Sequence, residues 1–205
     1  MILKRQILSL LSCFLGAIIF LPSNSFAKQS EKKIQIGQIL TPMGEILISL
    51  DDRAPNHKAS FVELAAAGYW DSLTFNRVIP DFVAQAGCPD TPAGFTDPEY
   101  LLKPEFIPEL THIYGAVGSG RDDNPGKLSA RCQLYIVENK NGEHRLDGDY
   151  TVFGQVIKGM DVVDKMVAVP RSKSDEPSTP ITMDINVLSI SQTEFDALLE
   201  SVESN

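Results

Sequence analysis

Apolar and polar residues alternate through much of the chain beyond residue 33, and this alternation predicts β-strands. The runs at 34–36 and 46–50 alternate around isoleucine and leucine, with Thr41-Pro42-Met43-Gly44 between them. Because proline and glycine favour tight turns, the two runs are predicted to form an antiparallel hairpin. Further short strands are predicted at 73–78, 82–86, 114–119, 131–137, 151–157 and 182–190.

Two segments have the spacing of an amphipathic helix instead. Phe61 and Leu64 share one face after Pro55. Gly68 follows at the position where a left-handed residue commonly ends a helix. A second short helix is predicted over 160–169. Many short strands and two helices together favour an all-β protein, a closed barrel with a helix at each end.

The chain is predicted to contain a single folded domain over 28–190, flanked by a signal peptide over 1–27 and a short C-terminal amphipathic helix over 191–205. The helix is expected because Ser191 and Glu194 fit a capping box ahead of an apolar face. A helix this short is marginal alone, so we expect it to dock on the barrel.

The N-terminus has the pattern of an export signal. Lys4 and Arg5 precede an apolar run over 7–21, and Ser25-Phe26-Ala27 supplies a small-x-small cleavage site. The run of about 15 residues is shorter than the roughly 20 that a membrane span needs. We therefore expect cleavage after Ala27, no membrane insertion of the mature chain, and a periplasmic or secreted location. A lipid anchor at Cys13 is the alternative.

Charge argues against nucleic acid as a partner, because the net charge is −9 and no cluster of Lys and Arg with interleaved aromatics offsets it. We expect a monomer. Cys88 and Cys132 lack a Cys-x-x-Cys spacing, and His57, His112 and His144 show no metal-ligand spacing. His57 is expected to be a solvated residue in the first turn of the first helix, and His112 and His144 are expected to lie in loops away from the pocket. No metal or cofactor is expected. The two cysteines form either a disulfide or two separate buried thiols, and the separate thiols are slightly favoured.

The stretch Phe75-Asn76-Arg77-Val78-Ile79-Pro80-Asp81-Phe82-Val83-Ala84-Gln85-Ala86-Gly87 carries most of the functional information. It resembles the F-H-R-V-I-x-x-F-x-x-Q-x-G signature of cyclophilins, the peptidyl-prolyl cis/trans isomerases. Asn76 replaces the usual His of that signature, and Ala86 replaces a Gly. The resemblance extends over about 33–190 and implies an eight-stranded antiparallel closed barrel capped by two α-helices.

The resemblance also implies roles for individual residues. Arg77 matches the catalytic arginine, and Gln85 matches the glutamine that holds it. Four positions depart from the family pattern: Val83 replaces Met, Tyr135 replaces Phe, Arg145 replaces Trp and Tyr150 replaces His. The positions that match the substrate-binding surface are Phe82, Val83, Gly120, Tyr135, Arg145, Leu146 and Tyr150.

Rotation about an Xaa-Pro bond meets a barrier near 18–20 kcal/mol because the C–N bond has partial double-bond character. A fixed cation near the prolyl nitrogen favours a lone pair localised on that nitrogen and so favours the transition state. The resemblance therefore implies an isomerase of proline-containing polypeptides that assists the folding of exported proteins. Because the pocket departs from the family, the alternative is a weakly active or non-catalytic peptide-binding chaperone.

Overall fold

A computed structural model of the protein describes residues 33–88 and 100–203, and eight antiparallel strands in these ranges close into a barrel. The order around the barrel is β1-β10-β3-β4-β8-β6-β9-β2, while β5 and β7 pair separately. The strands are β1 Lys33–Thr41, β2 Gly44–Leu50, β3 Leu73–Ile79, β4 Val83–Gly87, β5 Leu101–Leu102, β6 Ala116–Ser119, β7 Ser129–Ala130, β8 Gln133–Val137, β9 Val152–Lys158 and β10 Ile181–Ser191. The barrel predicted from the sequence is confirmed.

The hairpin that opens the domain is also confirmed. Thr41 lies opposite Gly44 in the β1–β2 ladder, and the Thr41 hydroxyl accepts hydrogen bonds from the backbone N–H groups of Met43 and Gly44. Gly44 has a φ of 141°, a conformation that residues with a Cβ rarely adopt. The isoleucines of β2 point into the barrel, since Ile46 and Ile48 are fully buried.

Two helices complete the core, α1 over Pro55–Ala66 and α2 over Met160–Val167. Phe61 of α1 and Met166 of α2 belong to the same apolar cluster as Ile48, Phe75 and Ile136 of the strands. Both helices predicted from apolar spacing are confirmed. Their burial of apolar surface against the barrel interior supplies the main driving force for this packing.

A hydrogen-bonded contact between a buried histidine and a carboxylate lies at the start of α1. The Glu105 carboxylate accepts hydrogen bonds from the backbone N–H of His57, at 3.0 Å, and from its ring Nδ1, at 2.6 Å. It thereby satisfies N–H groups at the start of α1 that have no partner within the helix. The expectation from sequence that His57 is solvated is wrong, because its residue is only 2% exposed.

A third helix, α3 over Gln192–Glu203, lies on the outside of the barrel. Its predicted capping box is present: the Ser191 N–H donates to the Glu194 carboxylate at 2.7 Å, and the Glu194 N–H donates to the Ser191 hydroxyl at 3.2 Å. Phe195 and Leu198 pack on a cluster that includes Ile36. Among the helices of the described ranges, none has the length and apolar content needed to cross a bilayer.

Cys88 and Cys132 form a disulfide with a Cα–Cα distance of 5.4 Å, so the expectation of two separate thiols is wrong. The pairing follows from the ladder between β4 and β8, in which Gly87 lies opposite Gln133 and the adjoining cysteines meet. Sequence separation gives no sign of this neighbourhood. The predicted signal peptide, including Cys13, lies outside the described residues.

Candidate active site

A β-bulge in β3 turns Arg77 out of the barrel core. The register of β3 against β4 shifts between Phe75 and Arg77, which leaves Asn76 as the extra residue. In a regular strand Phe75 and Arg77 would share one face. Instead Phe75 and Val78 are buried inside the barrel while Arg77 is half-buried and lines an outer cleft. The bulge therefore re-aims the side chain, as bulges beside functional sites commonly do.

A directional chain of hydrogen bonds holds the Arg77 guanidinium. Arg77 Nη1 donates to Gln85 Oε1 at 3.2 Å, and Gln85 Nε2 donates to Gln133 Oε1 at 3.1 Å. Gln133 Nε2 then donates to the backbone carbonyl of Cys88 at 3.2 Å. Each amide thus donates through nitrogen and accepts through oxygen. The chain fixes one edge of the guanidinium and leaves its other donors toward the cleft.

Cross-strand pairing explains why these side chains meet. Arg77 lies opposite Gln85, Gln85 opposite Tyr135, and Tyr135 opposite Gly118 across four neighbouring strands. Residues paired across a sheet project to the same face. Gly118 is required at the end of this row, because a Cβ there would stand 2.6 Å from Tyr135 Cε2. The absent side chain makes room for the tyrosine ring.

Phe82 lies at one end of the cleft between two cations. The Arg77 guanidinium carbon is 5.7 Å from the Phe82 ring centroid, and that of Arg145 is 4.6 Å away. Arg145 Nε also donates to the Glu143 carboxylate at 2.8 Å. Glu138 stabilises the turn that carries Phe82, because its carboxylate accepts a hydrogen bond from the Asp81 N–H at 2.7 Å. Burial raises the pKa of Glu138 above its ordinary value.

A third arginine of the cleft, Arg121, is held by residues of the loops. The Arg121 guanidinium lies over the Tyr150 ring, 4.5 Å from its centroid. Its Nε donates to the Asp149 carbonyl at 2.9 Å, and its Nη1 donates to the Asp122 carbonyl at 2.7 Å. These contacts combine cation–π attraction with two directional bonds. The side chain is therefore held in one orientation.

A buried polar network supports the floor of the cleft. His112 is fully buried, with Nδ1 at 2.6 Å from Asp147 Oδ1 and Nε2 at 2.8 Å from the Tyr135 hydroxyl. Burial lowers the pKa of His112, against the opposing pull of the Asp147 carboxylate. In the neutral ring Nδ1 donates to Asp147, so Nε2 accepts from Tyr135. The Tyr135 hydroxyl therefore donates its proton to His112 and cannot also donate it to a substrate.

The cleft has a volume of about 690 Å³, and all nine residues that the sequence singled out line it. We call its strand-borne side the strand wall and its loop-borne side the loop wall. The strand wall contains Arg77, Val83, Gln85, Gln133 and Tyr135, and Phe82 joins it to the loop wall. The loop wall contains Gly120, Arg121, Asp122, Arg145, Leu146 and Tyr150.

Sequence reasoning missed several contributors. Gln133 lies in the segment 128–136, which resembles the S-Q-F-F-I strand of the family, and it matches the glutamine of that strand. The side chains of Arg121 and Asp122 were not singled out. His112 was predicted to lie in a loop away from the pocket. It does lie in a loop, but its ring contacts Tyr135, which lines the cleft. The tyrosine at a phenylalanine position was a signal that its hydroxyl needs a partner.

No group of three or more His, Cys, Asp and Glu side chains in the described ranges is arranged to hold a metal ion. Arginines, amides and aromatic rings line the cleft. A guanidinium held by amide oxygens can polarise an uncharged backbone group, and aromatic and aliphatic rings beside it can receive a small apolar side chain.

Comparison with known proteins agrees with this geometry. Residues 34–187 match the family model of cyclophilin type peptidyl-prolyl cis-trans isomerases. A 148-residue alignment with peptidyl-prolyl cis-trans isomerase ppi1 of Schizosaccharomyces pombe has 34% identity and covers 70% of this chain and 92% of that protein. Peptidyl-prolyl cis-trans isomerase A of Dickeya dadantii is 28% identical over 189 residues, which are 88% of this chain and 96% of the relative.

The fold is also found among solved structures. A crystal structure of a cyclophilin type peptidyl-prolyl cis-trans isomerase from Cryptosporidium parvum superposes with a TM-score of 0.67 at 23% identity, covering 77% of this chain and 99% of the other. The chain belongs to the cyclophilin-type peptidyl-prolyl cis-trans isomerase family. By family it is an enzyme that acts on proline-containing polypeptides.

Proposed function

We propose that this protein is an exported prolyl isomerase that assists folding, with Arg77 as its catalytic group. The observation that carries the proposal is the Arg77 guanidinium, held by Gln85 at 3.2 Å beside the Phe82 ring. Arg77 forms no ion pair with any carboxylate of the described residues, so its charge is available to a bound peptide. A permanent cation with a planar fork is suited to this task.

The chemistry follows from the amide bond. As the Xaa-Pro bond rotates, conjugation is lost and the prolyl nitrogen gains a localised lone pair. Arg77 stabilises this state more than the planar ground state, because only the localised lone pair accepts a strong hydrogen bond. Gln85 and Gln133 hold the guanidinium in place before the substrate arrives, so little reorganisation accompanies the reaction.

The proline ring is proposed to bind against Phe82, Val83, Tyr135 and Leu146, which line the cleft beside Arg77. The Tyr135 hydroxyl is hydrogen-bonded to His112, so it does not need a polar partner on the bound ligand. The family methionine, phenylalanine, tryptophan and histidine positions are changed here, yet the aromatic and aliphatic character of the cup is retained at Phe82, Tyr135 and Leu146. Such a cup suits a small apolar ring.

Export is proposed from two independent features. The N-terminal sequence has a basic start, an apolar run and the small-x-small end Ser25-Phe26-Ala27. The Cys88–Cys132 disulfide supports an oxidising compartment, because disulfides rarely persist where thioredoxin and glutathione keep thiols reduced. In such a compartment, Xaa-Pro rotations lasting tens to hundreds of seconds limit folding, and an isomerase shortens them.

A protease-coupled assay on a proline tetrapeptide, with the mature protein and its Arg77→Ala variant, tests the proposed activity. We expect wild-type turnover and a rate roughly 10- to 1,000-fold lower in the variant, as for the loss of one preorganised electrostatic group. Arg53→Ala is the matched control, since Arg53 is an exposed arginine outside the cleft. Equal rates in wild type and Arg77→Ala would reject the mechanism, and an inactive wild type that still binds peptide would favour the non-catalytic chaperone.

A further inference from the structure

We propose that the cleft selects proline segments with a carboxylate side chain next to the proline, and that Arg121 is the specificity-determining residue. The inference rests on the proposed function, because it concerns the peptide that Arg77 acts on. It begins from a contrast in charge. The chain as a whole carries a net charge of −9, whereas the cleft is lined by three arginines and a single aspartate. A cationic cleft in an anionic protein concentrates anionic ligands.

Arg121 differs from an ordinary surface arginine in the nature of its partners. Both of its hydrogen-bond acceptors are neutral backbone carbonyls, those of Asp149 and Asp122. Their carboxylates are engaged elsewhere: that of Asp149 pairs with Lys127, and Asp122 Oδ1 accepts from Asn124 Nδ2 at 2.8 Å. The guanidinium is therefore fixed without a hydrogen bond to a carboxylate, and the nearby Asp149 carboxylate acts on it only through space.

The unused donors of Arg121 determine what it can bind. Nε and Nη1 each donate to a carbonyl, and Nη2 has no partner in the part of the chain that the structure describes. The Tyr150 ring covers one face of the guanidinium, so a ligand must approach in the plane of the fork. An in-plane approach to a guanidinium edge is the geometry that a carboxylate uses.

The other two cleft arginines are less suited to this role. Arg145 is already paired with Glu143 through Nε. Arg77 is assigned to the prolyl nitrogen under the proposed function. Arg121 lines the same cleft as Arg77 but belongs to the loop wall, so we assign it to a residue that flanks the proline. A glutamate or aspartate beside the proline is therefore the side chain that Arg121 fits, and a lysine there would be repelled.

The test compares peptides that differ by one charge. Two isosteric pairs, with Glu or Gln immediately before the proline and with Glu or Gln immediately after it, are measured by exchange spectroscopy for turnover and by chemical-shift titration for affinity. We expect wild type to prefer the Glu member of one pair by about fivefold, a preference that weakens as salt is raised. Arg121→Gln is expected to bring that ratio close to one, and the Arg53→Gln control to keep it.

The ratio between the Glu and Gln peptides, rather than the absolute rate, separates this inference from a general loss of activity. Arg145→Gln is not used as the test, because it would also leave the buried Glu143 carboxylate without its ion pair. Glu-to-Gln ratios near one for both pairs in wild type, or a preference unchanged in Arg121→Gln, would overturn the inference while leaving the isomerase intact. Absence of turnover with every peptide would instead reject the proposed function, and the affinity ratios would still decide the role of Arg121.

Discussion

The strand wall and the loop wall of the cleft are built by different means. On the strand wall, Arg77, Gln85 and Tyr135 are aligned by backbone ladders of adjacent strands, and their side chains link to one another. On the loop wall, Arg121 is held by the Tyr150 ring and by hydrogen bonds to two backbone carbonyls. The wall proposed to carry catalysis is thus held by the barrel, while the wall proposed to carry specificity is held by individual side-chain contacts.

The largest predicted change in stability comes from removing the disulfide beside the strand wall. Cys88→Ser together with Cys132→Ser opens a loop of 44 residues and is expected to lower the free energy of unfolding by roughly 4 kcal/mol. Urea denaturation of the two proteins under non-reducing conditions measures the difference. A loss below about 1 kcal/mol would show that the ladder between β4 and β8 holds this region without the covalent link.

The buried network beneath the cleft should contribute somewhat less to stability. His112→Ala removes a buried ring together with its hydrogen bonds to Asp147 and to the Tyr135 hydroxyl, so we expect a loss of about 2–3 kcal/mol. Asp147 keeps the hydrogen bonds from the His112 backbone N–H and from the His144 ring. Tyr135→Phe keeps the ring and should cost about 1 kcal/mol. His144→Ala also removes a hydrogen bond to Asp147, but the His144 side chain is 57% exposed, so this variant should change stability by less than about 0.5 kcal/mol. Equal losses in the three variants would refute the assigned network.

The two buried histidines also predict how stability depends on pH. Burial lowers the pKa of both His57 and His112 in the folded protein. Below the unfolded value of about 6.5 the unfolded chain therefore binds more protons than the native state, and unfolding becomes easier. Stability should be fully present above pH 6.5 and should decline as pH falls, by at most about 1.4 kcal/mol per pH unit for each histidine. Denaturation midpoints at pH 7.5, 6.5 and 5.5 measure this.

A variant separates the contribution of His112 from that of His57. His112→Asn removes one of the two titrating rings, and the slope of stability against pH should become shallower. The Glu105 and Asp147 carboxylates have pKa values below their ordinary range, held there by hydrogen bonds from these histidines against the effect of burial. Their protonation adds to the same acid-side loss. Stability that rises as pH is lowered from 6.5 would contradict the assignment.

The smallest expected effect is on the isomerase rate between pH 6 and 8. Tyr150 occupies the position where the family has His, and Arg77 is permanently charged. Burial raises the pKa of Tyr135 further above this window and lowers that of His112 toward the acid end of the window. A flat rate is expected in protein shown to remain folded. A severalfold change with a midpoint inside the window would implicate a further titrating group.

The strand wall was largely predictable from sequence, for a physical reason. Strand periodicity and the spacing of Arg77, Phe82 and Gln85 are local features that survive in a single sequence. The bulge at Asn76 was not predicted, because the alternation of Phe75 with Arg77 looks regular until the partner strand is known. The positions that line the strand wall were therefore predicted, whereas the bulge that aims Arg77 was not.

Part of the loop wall was predictable as single positions, but the buried network beneath the cleft was not. His112 bonds to Tyr135 and Asp147, which are 23 and 35 residues away along the chain. No periodicity relates such residues, so His112 was assigned to a loop without function. The disulfide between Cys88 and Cys132 was not predicted for the same reason, since only the β4–β8 ladder brings the cysteines together. Long-range side-chain contacts are determined by the tertiary fold rather than by local pattern.

The most direct test of the central claim measures catalysis and binding on the same sample. Exchange spectroscopy on a proline peptide gives the cis/trans interconversion rate, and titration of the same peptide gives its Kd, for wild type, Arg77→Ala and Arg77→Lys. We predict that both variants lose at least tenfold in rate while Kd changes only a few-fold, because a lysine cannot reproduce the guanidinium fork. Undiminished exchange in Arg77→Ala, at unchanged Kd, would contradict the claim that Arg77 drives the isomerisation.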